Sequence, residues 1–466
     1  MPNPQESLAD QPMSIQTLLS DHLRTHLIKG AVGSLVLQVG FAGVAFFNAL
    51  VLARALGADD YGAFANAMAW VSLLTIPATF GFGILLVRDT AIYRSQGKWA
   101  LLKGLLRFAD RFVLMLSATL AIVAAGVAGW MFASPSQAMM RHTVWIALLL
   151  LPLFALCNLR EAATRGLEYV IRARLPGMLV RPGLLLCGIV TLYFFWPGHL
   201  SAPVAMGVNV FAGIVALGLG SVFLKQLLPA EVKVSTPKYT PRPWLKAAFP
   251  MLTYGGAQIV LGQTDIVMLG AMRGAEEVGL YAAANRLAFL LIYVMMAFNI
   301  ILMPVMSRLY ISGEIHRLQM ILSRAVRISF ILVLPFGIVF IFLGKNILGI
   351  FGHAFLNAQT VLIILSVGRI FDVFIGVGTG ALLLTIAGRE KIIATVFLCA
   401  SLLNILLNLA LIPKHGIHGA AVASMTSLLT AKIMLVIKSY VDTGVYVTVL
   451  GEYIHFGIKA TKGSHN

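Results

Sequence analysis

Twelve stretches of this chain are apolar for about twenty residues each, and nothing else in it limits the fold so strongly. A helix rising 1.5 Å per residue needs about 20 such residues to cross about 30 Å of hydrocarbon. In hydrocarbon every backbone N–H and C=O must be satisfied within the segment, so each stretch spans as an α-helix. The runs are 31–53, 61–87, 112–132, 143–159, 177–196 and 203–224, then 245–272, 279–305, 328–348, 359–385, 392–412 and 417–438. Only 11% of the 466 residues are charged and 59% are hydrophobic, whereas about a quarter of a soluble chain is charged. The expected fold class is therefore all-α integral membrane. The first 28 residues are polar and mixed in charge, unlike a cleavable leader. Cys157, Cys187 and Cys399 all fall within apolar runs. They are expected to be small apolar core residues, with neither a disulfide framework nor a metal-ligand spacing. No cofactor is expected.

The formal net charge is +17, and its placement argues against a polyanionic partner. Of the 35 Lys and Arg, 27 fall on one side of the expected helices: in the two tails and in the even-numbered connections. Five (Arg54, Arg141, Arg273, Lys345 and Lys414) fall on the other side, and three (Arg286, Arg369 and Lys432) lie within spans. Such asymmetry over short loops is the positive-inside pattern. It places both termini in the cytoplasm and supports an even number of helices. It also supplies contacts to anionic lipid head groups. No groove-reading module or aromatic platform accompanies the basic residues, so no nucleic-acid partner is expected.

The chain repeats itself. Gly57-Ala58-Asp59-Asp60-Tyr61-Gly62-Ala63-Phe64-Ala65 matches Gly274-Ala275-Glu276-Glu277-Val278-Gly279-Leu280-Tyr281-Ala282 at an offset of 217. Pro197-Gly198-His199 matches Pro413-Lys414-His415 at 216, and Gly166-Leu167-Glu168 looks like Gly388-Arg389-Glu390 at 222. Six helices per half is an even number, so both halves enter the membrane with the same polarity. They should be related by a pseudo-two-fold along the membrane normal. The expected organisation is a cytoplasmic tail at 1–30, a six-helix lobe at 31–224, a proline-rich basic linker at 225–244, a second six-helix lobe at 245–438 and a tail at 439–466. The repeated motif suits a cap and turn. Its glycine closes one helix in a left-handed conformation, and its acidic pair sits at the positive end of the next.

Four segments carry a family resemblance. "LARALGADDYGAFA" at 52–65, "GFGILLVRDTA" at 81–91, "QTDIVMLGAMRGAEEVGLYAAANRL" at 263–287 and "LNILLNLALIPKHGIHGAAVAS" at 403–424 resemble, in the right order, the polysaccharide flippase family. That family belongs to the superfamily of multidrug, oligosaccharidyl-lipid and polysaccharide exporters. The resemblance implies two lobes facing a central cavity. It also implies a polyprenyl-pyrophosphate-linked oligosaccharide (an O-antigen, capsule or exopolysaccharide repeat unit) carried between leaflets by alternating access. Lipid II flippases usually have two helices more than the twelve found here. A proton or sodium ion is a candidate coupling ion, and the polysaccharide polymerase and export machinery are candidate partners. The alternative reading is a multidrug or cation antiporter of the same superfamily, whose cationic cargo calls for a cavity dominated by carboxylates. A membrane enzyme would need a large outer loop bearing acid–base residues. The outer loops here are short, and His353, His415 and His418 stand without partners, so no enzyme is expected.

Ionised groups at mid-bilayer cost about 2.5–3.5 kcal/mol and therefore mark candidate sites. Asp265 and Arg286 lie seven residues either side of the second-half hairpin. Either they form an ion pair that locks the hairpin, or Arg286 faces the cavity and attracts the pyrophosphate while Asp265 controls its availability. Arg369 and Asp372 share one face of the tenth helix, either as an internal pair or as a site with a coupling-ion carboxylate. Lys432 is expected to lift its ammonium to the head groups. Asn404 and Asn408 share a face, and Asn48 is the first-half counterpart of Asp265. Gln258, Gln263 and Asn285 flank the charged pair. All six amides suit either interhelical hydrogen bonds or a sugar-binding cavity. Pro77, Pro152, Pro250, Pro304 and Pro335 are candidate kinks.

Overall fold

The computed structural model describes residues 21–451 apart from 197 and 377, so the remainder of both tails lies outside the described residues. Among the described residues twelve long helices make up the bundle. In the first lobe they are α1 (21–56), α2 (58–95), α3 (Trp99–Met131), α4 (138–166), α5 (170–195) and α6 (Ala202–Leu227). The second lobe follows with α7 (Pro241–Met272), α8 (Ala275–Ile311), α9 (Ile315–Phe342), α10 (359–386), α11 (390–415) and α12 (417–443). Among the described residues there is no β-strand.

Several helices begin before their apolar runs. α3 starts at Trp99 rather than 112, and α9 at Ile315 rather than 328. These extra turns carry Lys103, Arg107, Arg317, Arg324 and Arg327, which suit head groups rather than hydrocarbon. α9 also ends at Phe342, and residues 344–348 belong to a separate short helix, Gly344–Phe351. The connection between the lobes spans 228–240 and is pinned to α3. Lys238 N–H donates to Ala100 O at 2.9 Å, and Lys103 Nζ donates to Lys233 O at 2.6 Å and Ser235 O at 2.9 Å. Just beyond it, buried Trp244 donates to Tyr93 Oη at 3.0 Å.

The breaks follow local chemistry. Pro152 has no N–H to offer Leu148 O, and α4 is interrupted at Leu149. α2 breaks three residues after Pro77, at Phe80 (φ 48°) and Gly81 (φ 79°). α5 contains a π-turn over Pro176–Val180, and α10 is interrupted at Gly376 (φ 95°) and Gly378 (φ 68°).

The backbone repeats where the sequence does. Left-handed residues recur at Gly57 and Gly274, at Gly97 and Gly313, and at Glu168 and Gly388. The last pair shows that the loosest sequence match lies two residues out of backbone register. At the starts of α2 and α8 the repeat becomes a contact. A methyl group at Gly62 would overlap the Ala275 carbonyl, and one at Gly279 would overlap the Ala58 carbonyl. The two clashes exchange partners under the 217-residue offset, so this close approach lies on the pseudo-two-fold. Only residues without a side chain permit it.

Around that contact the lobes share one apolar core, with Tyr61, Phe64, Ala67, Leu269, Tyr281, Phe351 and Phe355 among its buried members. At the opposite, basic end two further cores lie apart, the first joining the first lobe to the start of α7 and the second lying within the second lobe. One centres on Phe82, Leu105 and Trp244, the other on Met295, Leu318 and Leu322. Cys187 and Cys399 are exposed on the outside of the bundle, where lipid covers a membrane protein, rather than in the core.

Candidate functional site: a cavity between the lobes

Below the shared core lies a cavity of about 550 Å³, lined from α1, α2, α5 and α6 on one side and α7, α8, α10, α11 and α12 on the other. Its acidic and basic walls are three arginines, Arg181, Arg286 and Arg369, and one carboxylate, Asp265. Asn48, Asn209, Gln258, Gln263 and Asn285 add amides.

Arg286 reaches across the lobe boundary, where its Nη2 donates to Ala45 O on α1 at 3.4 Å. The hairpin ion pair with Asp265 is not formed. Asp265, 2% exposed, accepts from Tyr281 Oη and Ser424 Oγ instead. Equal depth on neighbouring helices did not bring the two charges together, because Asp265 faces into its own lobe and Arg286 faces the other. Both donors use Asp265 Oδ2, and Oδ1 has no hydrogen-bond partner.

Arg369 sits against the Phe289 ring, with its guanidinium carbon 5.3 Å from the centroid, and lies 3.8 Å from Asp372. Asp372 is not a cavity wall. It is 1% exposed and is shared with Lys432, whose Nζ is 3.6 Å away. The expectation that Lys432 reaches the head groups is therefore corrected. α12 runs on to Thr443, so Lys432 lies deeper than its apolar run suggested, and its side chain is 8% exposed.

Asn48 and Asn285 are in the cavity wall. Asn48 Nδ2 donates to Pro182 O at 2.8 Å and Val44 O at 3.0 Å, which ties α1 to α5 beside Arg181. Asn404 and Asn408 are not brought to the cavity. They bond one another at 3.0 Å within α11. Sequence reasoning missed Arg181, counted among the basic loop residues, and Tyr281. The repeat held a signal for Tyr281, because Phe64 and Tyr281 occupy equivalent motif positions and both line the cavity. The motif therefore caps and turns the helices and also contributes to the cavity wall.

A polytopic helical bundle with two repeated lobes around a polar cavity defines a membrane transporter rather than an enzyme. Residues 27–310, more than half of the chain, match the model of the polysaccharide biosynthesis protein family, and residues 251–410 match that of the MatE family. The chain belongs to the polysaccharide biosynthesis protein family. It is 25% identical over 86% of its length to 81% of the probable low-salt glycan biosynthesis flippase Agl15 of Haloferax volcanii. It is 28% identical over 37% of its length to the probable flippase AglR of the same organism, a match that spans 36% of that protein. Among solved structures it resembles an inward-facing multidrug resistance MATE family transporter (TM-score 0.71, 13% identity, 88% of this chain and 98% of that one). It also resembles the lipid II flippase MurJ in an inward closed conformation (TM-score 0.67, 15% identity, 93% of each chain).

Proposed function

We propose that this protein flips polyprenyl-pyrophosphate-linked oligosaccharide repeat units from the cytoplasmic to the periplasmic leaflet of a bacterial inner membrane by alternating access. The observation that carries this reading is the cavity's charge, three arginines against one carboxylate. A pyrophosphate is an anion that guanidinium forks match in geometry, and the neighbouring amides offer donors and acceptors to a sugar. A carboxylate-dominated cavity, which cationic drugs would call for, is not what lines these walls. The named relatives, a probable flippase and a probable glycan biosynthesis flippase, support the same class of cargo. On this reading the lobes at 31–224 and 245–438 are the moving units. Both termini and the basic loops face the cytoplasm. The lipid tail stays in the bilayer, and the exposed repeat unit passes to polymerase and export machinery.

The coupling carboxylate of this reading is Asp265 rather than Asp372. Asp372 is compensated by two cations, whereas Asp265 borders the cavity with an oxygen to spare. A proton or a sodium ion suits that oxygen.

The test uses liposomes holding a fluorescent polyprenyl-pyrophosphate oligosaccharide and a membrane-impermeant quencher. The wild type should accelerate exposure of the label, and Arg286→Ala should abolish the acceleration at an unchanged level of protein. Full acceleration in Arg286→Ala would sink the assignment of that arginine. In the same liposomes, Asp265→Asn should make the rate insensitive to imposed proton and sodium gradients. A gradient response equal to the wild type would exclude Asp265 from coupling.

A further inference from the structure

A second cavity of about 290 Å³ lies wholly within the first lobe, between α1, α2, α4, α5 and α6. Its charged walls are Arg160, Arg172, Arg181 and Glu161. Two of the four are committed elsewhere. Arg160 grips Asp110 through both carboxylate oxygens, at 2.7 and 2.9 Å, and donates to Ser221 at 3.2 Å. Glu161 lies 3.6 Å from Arg165. That leaves Arg172 and Arg181 as the uncommitted charges.

Arg181 belongs to both cavities, as does Phe41 on α1. Its guanidinium lies over the Phe154 ring, 4.3 Å from the centroid, and its buried Nη1 has no hydrogen-bond partner. A guanidinium held over an aromatic ring with an unsatisfied N–H is a ready donor for an oxyanion, because buried polar groups without partners are rare. The backbone just before it is the π-turn Pro176–Val180, and Pro182 follows. Such single-turn bulges loosen the helix locally and often accompany functional sites. Arg181 therefore stands in the wall between the two spaces, on the least regular part of α5.

We propose that this inner pocket is a second phosphate-ester site. Arg172 and Arg181 hold a pyrophosphate or lipid phosphate near the basic end of the lobe, and Arg181 passes a cargo pyrophosphate on to the central cavity. The hand-over rests on the flippase reading, whereas the binding site itself does not. Cys157 is in the pocket wall and provides the reporter.

The experiment uses the full chain with Cys187→Ser and Cys399→Ser, so that Cys157 alone can be modified. The modification rate by a small methanethiosulfonate reagent is followed in phosphatidylcholine nanodiscs. The additions are farnesyl pyrophosphate, inorganic pyrophosphate, or phosphatidylglycerol in place of part of the phosphatidylcholine. Farnesyl pyrophosphate is expected to slow modification at least tenfold. Arg172→Gln should remove most of that protection, Arg172→Lys should keep part of it, and Arg286→Ala, which lies in the central cavity alone, should leave it intact. Protection by phosphatidylglycerol with no further effect of either pyrophosphate would assign the phosphate to membrane lipid and keep the site. Protection by none of the three, or equal protection in Arg172→Gln, would overturn the proposal. No acceleration of flipping by the wild type in the liposome experiment would count against the function proposed above and leave the Cys157 result standing, so the two failures are distinguishable.

Discussion

Asp372 is the most heavily committed charge in the second lobe, with Arg369 and Lys432 both within 4 Å of a side chain only 1% exposed. Removing one member of a buried ionic cluster costs most when it leaves the others uncompensated, about 3–5 kcal/mol for a simple pair. Asp372→Ala strands two cations and should destabilise the protein by about that amount, seen as a clear fall in melting temperature in detergent. Lys432→Met leaves the Arg369–Asp372 pair balanced and should lower the midpoint much less. Equal falls for the two variants would mean that the cluster depends on the lysine as much as on the carboxylate, against the expected asymmetry. At this scale the sequence was half legible. The cost of charge in hydrocarbon singled out Asp265, Arg286, Arg369 and Asp372, and all four sit at or just behind the cavity wall. What helical spacing could not say is which way each side chain faces across helices distant in sequence. Asp265 is held by Ser424, 159 residues away, and Lys432 joins Asp372 from another helix.

The helices were legible in number because hydrocarbon thickness imposes a length on every apolar run. Their ends were not, because helical hydrogen bonding continues into the head-group layer, where lysine and arginine are welcome and the apolar signal stops. α3 and α9 show this most clearly. The glycines of the repeated motif act between elements. Gly57 and Gly274 turn the chain at positive φ (77° and 100°), whereas Gly62 and Gly279 let the ends of α2 and α8 touch. Gly62→Val or Gly279→Val puts side-chain volume against a backbone carbonyl that has no rotamer to yield. Either variant should therefore wedge the hairpin end open. Spin labels at the exposed tips, introduced by Asp59→Cys and Glu276→Cys on a chain lacking the native cysteines, should report a longer and broader distance distribution in the valine variants. An unchanged distribution would show that the lobes accommodate the added volume without parting.

Across the whole molecule the two ends of the bundle differ. The lobes share one continuous core at the hairpin end, whereas at the basic end only the start of α7 packs on the first lobe and the rest of the second lobe keeps a core of its own. The 217-residue repeat made two lobes readable in the primary structure, but a repeat treats both ends of a lobe alike. The end at which the lobes meet depends on side chains gathered from nine or more helices, which no local pattern records. The reciprocal contact at Gly62 and Gly279 has a consequence for descent. A surface that meets itself under a two-fold is an isologous one, the kind that a single six-helix polypeptide could form with an identical copy. In such a dimer any substitution would be felt twice, once on each side of the axis. Joining the copies in one chain removes that constraint, and the cavity records the freedom gained. Asn48 corresponds to Asp265 and Phe64 to Tyr281 under the repeat, so a carboxylate and its phenolic donor stand in one half where the other keeps an amide and a bare ring.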